Sequence, residues 1–215
     1  MTQEPKKQMS VEGLLGAGKS TLFMTVQERL TVPCLAEPVE DWRMLDDFYR
    51  DPAQHTFMLQ AEILTSLKRW ERHTSYVSER CAATSIQVFS KIHLDLGNLT
   101  QREFDGLQFY QEQHLGFPTH ILYVDLSPEQ ALERIRRRQR PCEAGITLDY
   151  LRQIQAAYEA WFARTDLPVL VLNGDRSTQE LADEFLQAIT SIDPTLIREG
   201  GGTGKQKDGS YVILF

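Results

Sequence analysis

The chain has 215 residues, 41% of them hydrophobic and 25% charged, with a net charge of −7. That length suits one sizeable α/β domain and is short for two, and the acidic balance excludes general nucleic-acid affinity. The three cysteines, Cys34, Cys81 and Cys142, lack metal-ligand spacing and read as thiols of a reduced, cytoplasmic chain. No apolar run approaches the ~18 residues of a membrane span.

In chain order, residues 1–8 read as a short polar leader and Met9 to Glu12 as a first strand. A helix follows from Ser20 to Leu30, then a second strand from Val32 to Ala36. Pro38 disfavours helix at Glu37, so that carboxylate falls on a strand end or loop. Phe48-Tyr49-Arg50-Asp51-Pro52 reads as a turn, with proline opening a long helix over 53–71. Tyr76 to Arg80 is strand-like, 82–94 helical, and Leu99 to Glu112 helical again. His120 to Leu126 is the clearest strand, a near-continuous apolar run suited to a buried parallel sheet. Ser127-Pro128-Glu129 starts the next helix with a cap, a proline and an acid, and that helix carries into Arg140. A helix over Leu148 to Arg164, a fifth strand over Pro168 to Leu172 and a last helix capped by Ser177 or Thr178 complete the domain, taken as 9–198. The tail, 199–215, is glycine-rich, with an apolar Tyr211 to Phe215 able to dock. Alternating strands and helices predict an α/β fold: a five-stranded parallel sheet flanked by helices.

Gly13-Leu14-Leu15-Gly16-Ala17-Gly18-Lys19-Ser20-Thr21 is a phosphate-binding loop at a strand-to-helix junction. Its glycines aim backbone N–H groups at phosphate oxygens, Lys19 adds a point charge, and Ser20 offers a hydroxyl to Mg²⁺. Phosphoryl transfer further requires an acid at the acceptor, a metal ligand and positive charge. Glu37 and Glu79 both sit at strand ends facing the ligand crevice, so either suits the acceptor proton and the other the metal. Arg80 stands beside them. Five arginines fall between 134 and 140. Arg134, Arg137 and Arg138 share one helix face while Arg136 and Arg140 point away, a pattern that favours a lid over a nucleic-acid patch. Phe57, Gln60, Ile63, Leu64 and Leu67 make a helical stripe, apolar except for Gln60. From periodicity alone that stripe is ordinary core, as are Trp42, Tyr49 and Phe89.

Taken in order, the phosphate loop, Glu37-Pro38-Val39-Glu40-Asp41-Trp42, Tyr49-Arg50-Asp51-Pro52, Gln60, Glu79-Arg80-Cys81 and the arginine run resemble the cellular deoxynucleoside kinase family over about 9–190. The resemblance implies a P-loop kinase that uses ATP and Mg²⁺ to phosphorylate the 5′-hydroxyl of a deoxyribonucleoside, working as a homodimer without nucleic-acid or membrane partners. It makes Glu37 the acid beside that hydroxyl, Glu79 the acid near Mg²⁺, and Arg80 the contact to the 5′ oxygen. It further assigns Tyr49 and Glu143 to the 3′-hydroxyl, Gln60 and Phe89 to the base, and Trp42, with Phe57 and Ile63, to the pocket wall. Arg134, Arg138 and Arg140 become lid arginines, and Asn173-Gly174-Asp175 wraps the adenine. The chain departs from the family pattern at Leu14, Cys81 and Pro141-Cys142. Leu67 and Ser85 stand where cytosine- and guanine-preferring members carry an Arg and an Asp. Without that charged pair the pocket is expected to favour pyrimidines, thymidine and deoxycytidine included. The nearest rival, a nucleoside monophosphate kinase, lacks its own acid-Pro-Gly and D-R-Y motifs here. A non-catalytic nucleotide switch lacks D-x-x-G and N-K-x-D.

Overall fold

A computed structural model describes residues 6–140, 143–198 and 213–214. Five parallel strands form the sheet: β1 (Gln8–Gly13), β2 (Cys34–Leu35), β3 (Tyr76–Glu79), β4 (His120–Asp125) and β5 (Val169–Asn173), in the order β2-β3-β1-β4-β5. The five expected parallel strands are all present. A two-residue β6 (Ile213–Leu214) pairs antiparallel with β5, so part of the apolar tail meets the sheet edge. Strand order reverses around β1, and ligands of such sheets bind beyond the carboxyl ends at that reversal. The register sets Val11 opposite Glu79 and Gly13 opposite Val124, which gathers the phosphate loop and the acids at one edge.

The helices are α1 (Lys19–Val26), α2 (Leu45–Arg50), α3 (Pro52–Leu67), α4 (Ala82–Thr84), α5 (Lys91–Asp95), α6 (Gln101–His114), α7 (Pro128–Arg138), α8 (Leu148–Phe162) and α9 (Thr178–Ile192). Side-chain caps start most of the longer ones: Asp51 for α3, Thr100 with Glu103 for α6, Ser127 for α7, Thr147 for α8, Ser177 with Glu180 for α9. Between α4 and α5, Ser85–Ser90 is π-helix. That stretch carries both Ser85 and Phe89.

Four expectations need correction. Phe48 to Arg50 is the end of α2, not a turn, because Phe48 is buried against Trp42 and Leu59 and that contact sustains the helix. The second strand shrinks to Cys34–Leu35, since it pairs only with β3, at the edge of the sheet. The long helix tightens into a 3₁₀ turn at Lys68–Arg72. Phe57 is 36% exposed, because the buried face of α3 at that level is Thr56, Leu59 and Gln60.

The main core packs α1, α8 and α9 on the sheet, with Leu22, Ile154, Tyr158 and Phe185 among its members. A second cluster, with Leu64, Leu67, Trp70 and Ile86, sits under α3 and α6. Buried inside the first is a carboxylate. Glu12 is fully enclosed in β1 and accepts hydrogen bonds from Ser10, from Thr84 Oγ1 (2.6 Å) and from Tyr158 Oη (2.9 Å). Ser10 and Thr84 both bond Oε1, leaving Tyr158 as the donor to Oε2. Tyr158→Phe therefore strips one carboxylate oxygen of its buried donor, and should lower stability by about 1.5–3 kcal/mol. A urea midpoint that moves down at constant m-value is the expected result; an unmoved midpoint contradicts it.

Candidate active site

The phosphate loop is shaped by positions where a side chain will not fit. Gly13 has φ 141°, and a Cβ there would lie 2.7 Å from the Val124 carbonyl oxygen; a Cβ on Gly16 would meet the Ala131 carbonyl at the same distance. Leu14 points the other way. Its side chain is fully buried in the main core, which accounts for an apolar residue at that point of the loop. Lys19 Nζ donates to the carbonyls of Gly13 (3.1 Å) and Leu14 (2.9 Å). Burial, then the charge of Arg80, pull the Lys19 pKa down to about 8 against the opposing pull of Glu79, Glu37 and Glu12.

Beyond the loop opens a cavity of about 1350 Å³. It takes in Leu15 to Thr21, Glu37, Trp42, Tyr49, Gln60, Ile63, Leu67, Glu79, Arg80, Ser85, Phe89, Arg134, Arg138, Arg140 and Glu143. One space thus joins the phosphate loop, both acids and the expected base wall.

Glu79 and Arg80 end β3. Arg80 stands at φ 61°, a left-handed conformation costly for a non-glycine residue, and its N–H reaches the Val11 carbonyl at 3.0 Å. That twist sends Glu79 toward α1, where it accepts from Ser20 Oγ at 2.9 Å, and Arg80 toward Glu37. Arg80 Nη1 and Glu37 Oε2 form a direct ion pair, with side chains only 8% and 11% exposed. Burial raises the Glu37 pKa, more than the neighbouring Arg80 lowers it. Burial opposes the charge of Arg80 as well, but Glu37, Tyr158, Glu79 and Glu12 together outweigh it and the arginine stays a cation. Its guanidinium lies 5.2 Å from the centre of the Phe89 ring, and Nε and Nη2 are buried with no acceptor among the described residues. Two such donors beside a cavity suit an anionic or hydroxyl oxygen.

At the lid, Arg138 grips Glu143 with Nε at 2.7 Å and with Nη2, and Arg140 stands 3.9 Å away. Arg140 reaches the cavity although its helical angle points it outward, because α7 stops at Arg138 and Gln139 turns left-handed. Arg136 stays outside the cavity lining. Arg134 spans two loops, donating to Ala17 O (3.4 Å) and Gly174 O (2.9 Å). Pro141 and Cys142 lie outside the described residues.

Deep in the cavity Ser85 Oγ donates to Gln60 Oε1, both side chains being buried. Leu67 and Phe89 flank them. Trp42 Nε1 donates to Ser66 Oγ at 3.1 Å, which pins the loop after β2 to α3.

Six expected residues do not reach the lining. Gly13 and Leu14 lie beneath the loop, and Phe57 is turned to solvent. Asn173, Gly174 and Asp175 spend their polar groups on the turn itself: Gly174 N donates to Asp125 O, Asp175 N to Asn173 Oδ1, and Gln130 to Asp175. The neighbouring Arg176, Ser177, Thr178 and Leu181 line the cavity instead, with Met24 of α1. Tyr150 also lines it and was not anticipated. The only sequence signal for it is its place in the first turn after the Thr147 cap.

Among the described residues no three His, Cys, Asp or Glu side chains cluster to hold a metal. Mg²⁺ asks for less, one or two protein oxygens completed by phosphates and water, and the touching Ser20 and Glu79 oxygens fit that need. No helix among the described residues is long and apolar enough to cross a membrane.

The family model "Deoxynucleoside kinase" matches residues 9–193. The chain is 29% identical to a deoxyadenosine kinase of Dictyostelium discoideum, over 92% of this chain and 87% of the relative. It is 30% identical to a thymidine kinase of Ictalurid herpesvirus 1, over 86% and 87%. Among solved structures, the deoxyadenosine kinase from M. mycoides with bound dCTP superposes with a TM-score of 0.76 at 25% identity, covering 86% of this chain and 99% of that one. Loop, acids and lid on a doubly wound sheet, together with these likenesses, lead to one conclusion: the chain belongs to the deoxynucleoside kinase family, enzymes that move a phosphoryl group onto a nucleoside hydroxyl.

Proposed function

We propose that this kinase transfers the γ-phosphoryl group of ATP to the 5′-hydroxyl of a deoxyribonucleoside, pyrimidines including thymidine and deoxycytidine being favoured, through the single domain 9–198. The observation that carries the reading is the buried Glu37–Arg80 pair facing the phosphate loop across one cavity. A base works best with a pKa near the operating pH, so the burial that raises Glu37 suits it to take the hydroxyl proton. Glu79 is already committed to Ser20, and the two would hold Mg²⁺ against the ATP phosphates. Held there, the ion would supply positive charge against the phosphates. This divides the labour between the two acids.

Arg80 directs its unpartnered N–H groups at the reacting oxygens, and Lys19 exchanges its loop carbonyls for phosphate. Arg134, Arg138 and Arg140 place positive charge where it develops during transfer. Glu143, oriented by Arg138, and Tyr49 take the 3′-hydroxyl; Phe89 and Trp42 enclose the base. Gln60 reads its edge. Because Ser85 donates to Gln60 Oε1, the amide's NH₂ is left to donate to a ring nitrogen or carbonyl of the base. Leu67 and Ser85 leave that wall uncharged, which admits the thymine methyl and O4. The herpesvirus relative is named a thymidine kinase, whereas the Dictyostelium relative is named for deoxyadenosine. Large apolar side chains at the surface, Phe109 on α6 and Met58 on α3, support assembly as a homodimer through two helices.

Three outcomes test these readings. Glu37→Gln keeps shape and hydrogen bonding but cannot take a proton. It should lower kcat by about 10²–10⁴ while calorimetry still detects nucleoside and ATP binding; unchanged turnover contradicts the assignment. In a comparison of kcat/KM for the four deoxynucleosides, thymidine or deoxycytidine should lead, and a purine ahead by about tenfold overturns the preference, a margin equal to 1.4 kcal/mol. Sedimentation should give twice the chain mass; a monomer at assay concentration removes the dimer.

A further inference from the structure

We propose that Tyr150 is a substrate-binding residue whose phenolic O–H donates to an oxygen of the nucleoside's sugar, and that His93 and Asn98 behind it aim that proton into the cavity. The inference rests on the reading above that the nucleoside occupies this part of the cavity.

Placement comes first. Tyr150 lines the cavity from the first turn of α8, where the Thr147 hydroxyl accepts its backbone N–H at 3.1 Å. On one side it feels the charge of Arg80, the contact assigned to the 5′ end. On the other side stands His93, 3% exposed on α5, its ring 6.2 Å from that of Tyr150. His93 meets Phe48 edge-on at 5.1 Å, and Phe48 meets Tyr49 at 5.3 Å. The phenol therefore sits between the groups assigned to the 5′ and 3′ ends of the nucleoside, which is where the sugar lies.

Proton direction comes next. The Asn98 side-chain nitrogen lies 3.0 Å from His93 Nδ1. An amide nitrogen only donates, so Nδ1 presents its lone pair and the ring proton resides on Nε2. Nε2 is 3.5 Å from Tyr150 Oη, which accepts that proton. The hydroxyl hydrogen then has to point elsewhere. Among the described residues no other side chain bonds this hydroxyl, and the cavity is what it faces. Burial keeps both groups in the required state: it lowers His93 to about 4, so the ring is neutral, and raises Tyr150 to about 12, so the phenol keeps its proton.

The test is steady-state kinetics with thymidine and deoxycytidine, ATP and Mg²⁺. Tyr150→Phe should raise the nucleoside KM by roughly three- to tenfold, leaving kcat and the ATP KM within about twofold, as loss of one uniformly used hydrogen bond predicts. The rise should be equal for the two nucleosides, because the sugar is common to them. His93→Leu should reproduce it, and His93→Gln, whose amide N–H stands in for Nε2–H, should restore most of the loss. The double variant Tyr150→Phe/His93→Leu should be no worse than Tyr150→Phe alone. If His93→Leu does not fold, Asn98→Ala, which frees the tautomer, should shift KM in the same direction. An unchanged KM in Tyr150→Phe, a rise confined to one base, or additive losses in the double variant overturns the proposal. A wild-type enzyme that turns over deoxynucleosides while Glu37→Gln is fully active instead refutes the site assignment, and this inference falls with it.

Discussion

A buried guanidinium with donors to spare governs the architecture of this site. Arg80 is held from every side: its backbone by Val11 of β1, one nitrogen by Glu37 beyond β2, its face by Phe89 of the π-helical turn. Removing such a charge from water costs several kcal/mol unless partners replace the solvent. Glu37 replaces part of it, and the remaining N–H groups have no protein partner among the described residues. Two buried donors are therefore left facing the cavity, a pair suited to a ligand oxygen. The strained left-handed turn at Arg80 belongs to the same economy, since strain of this kind persists only where surrounding contacts enforce it.

Enforcement comes from beneath. Glu12 receives Thr84, at the end of the helical turn that begins just after Arg80, and Tyr158 of α8 closes the other carboxylate oxygen. One carboxylate ties together β1, the segment after β3, and α8. Its charge also bears on Lys19 and Arg80, favouring their protonated forms. For both it is the smallest of the carboxylate effects, behind Glu79 and Glu37, and for Lys19 burial and Arg80 still prevail.

What was legible in the chain divides along a physical line. Contiguous features were readable: the glycines that must adopt positive φ, the proline and serine caps, the apolar β4, and the alternation that implies a parallel sheet. Their causes are local, acting over a few residues. The pairing of Glu79 with Ser20 and of Arg80 with Glu37 was readable only as candidacy, because strand order and register decide it. Arg140 was misplaced by helical angle since the helix ends two residues earlier, with Gln139 left-handed. Phe57 shares a stripe with Leu64 but lies where α3 buries Thr56, Leu59 and Gln60 instead. Arg176 and Leu181 carried no signal, and Tyr150 only its place after the Thr147 cap, because α8 and α9 reach the cavity only through tertiary packing. Asn173 to Asp175 lie outside the cavity lining, and their polar groups build the turn that receives Arg134.

The π-helical stretch joins two parts of the site. Ser85 and Phe89 lie four residues apart on it, and both line the cavity. One segment thus supplies both the hydroxyl that fixes Gln60 and the ring that faces Arg80. The Gln60 amide and the Arg80 guanidinium are therefore linked through a single turn of backbone. On the reading proposed above, the first meets the base and the second the reacting oxygens, so this one turn would bear on both ends of the substrate. Ser85, lacking charge, would act on the base only through the hydrogen bond it donates to Gln60.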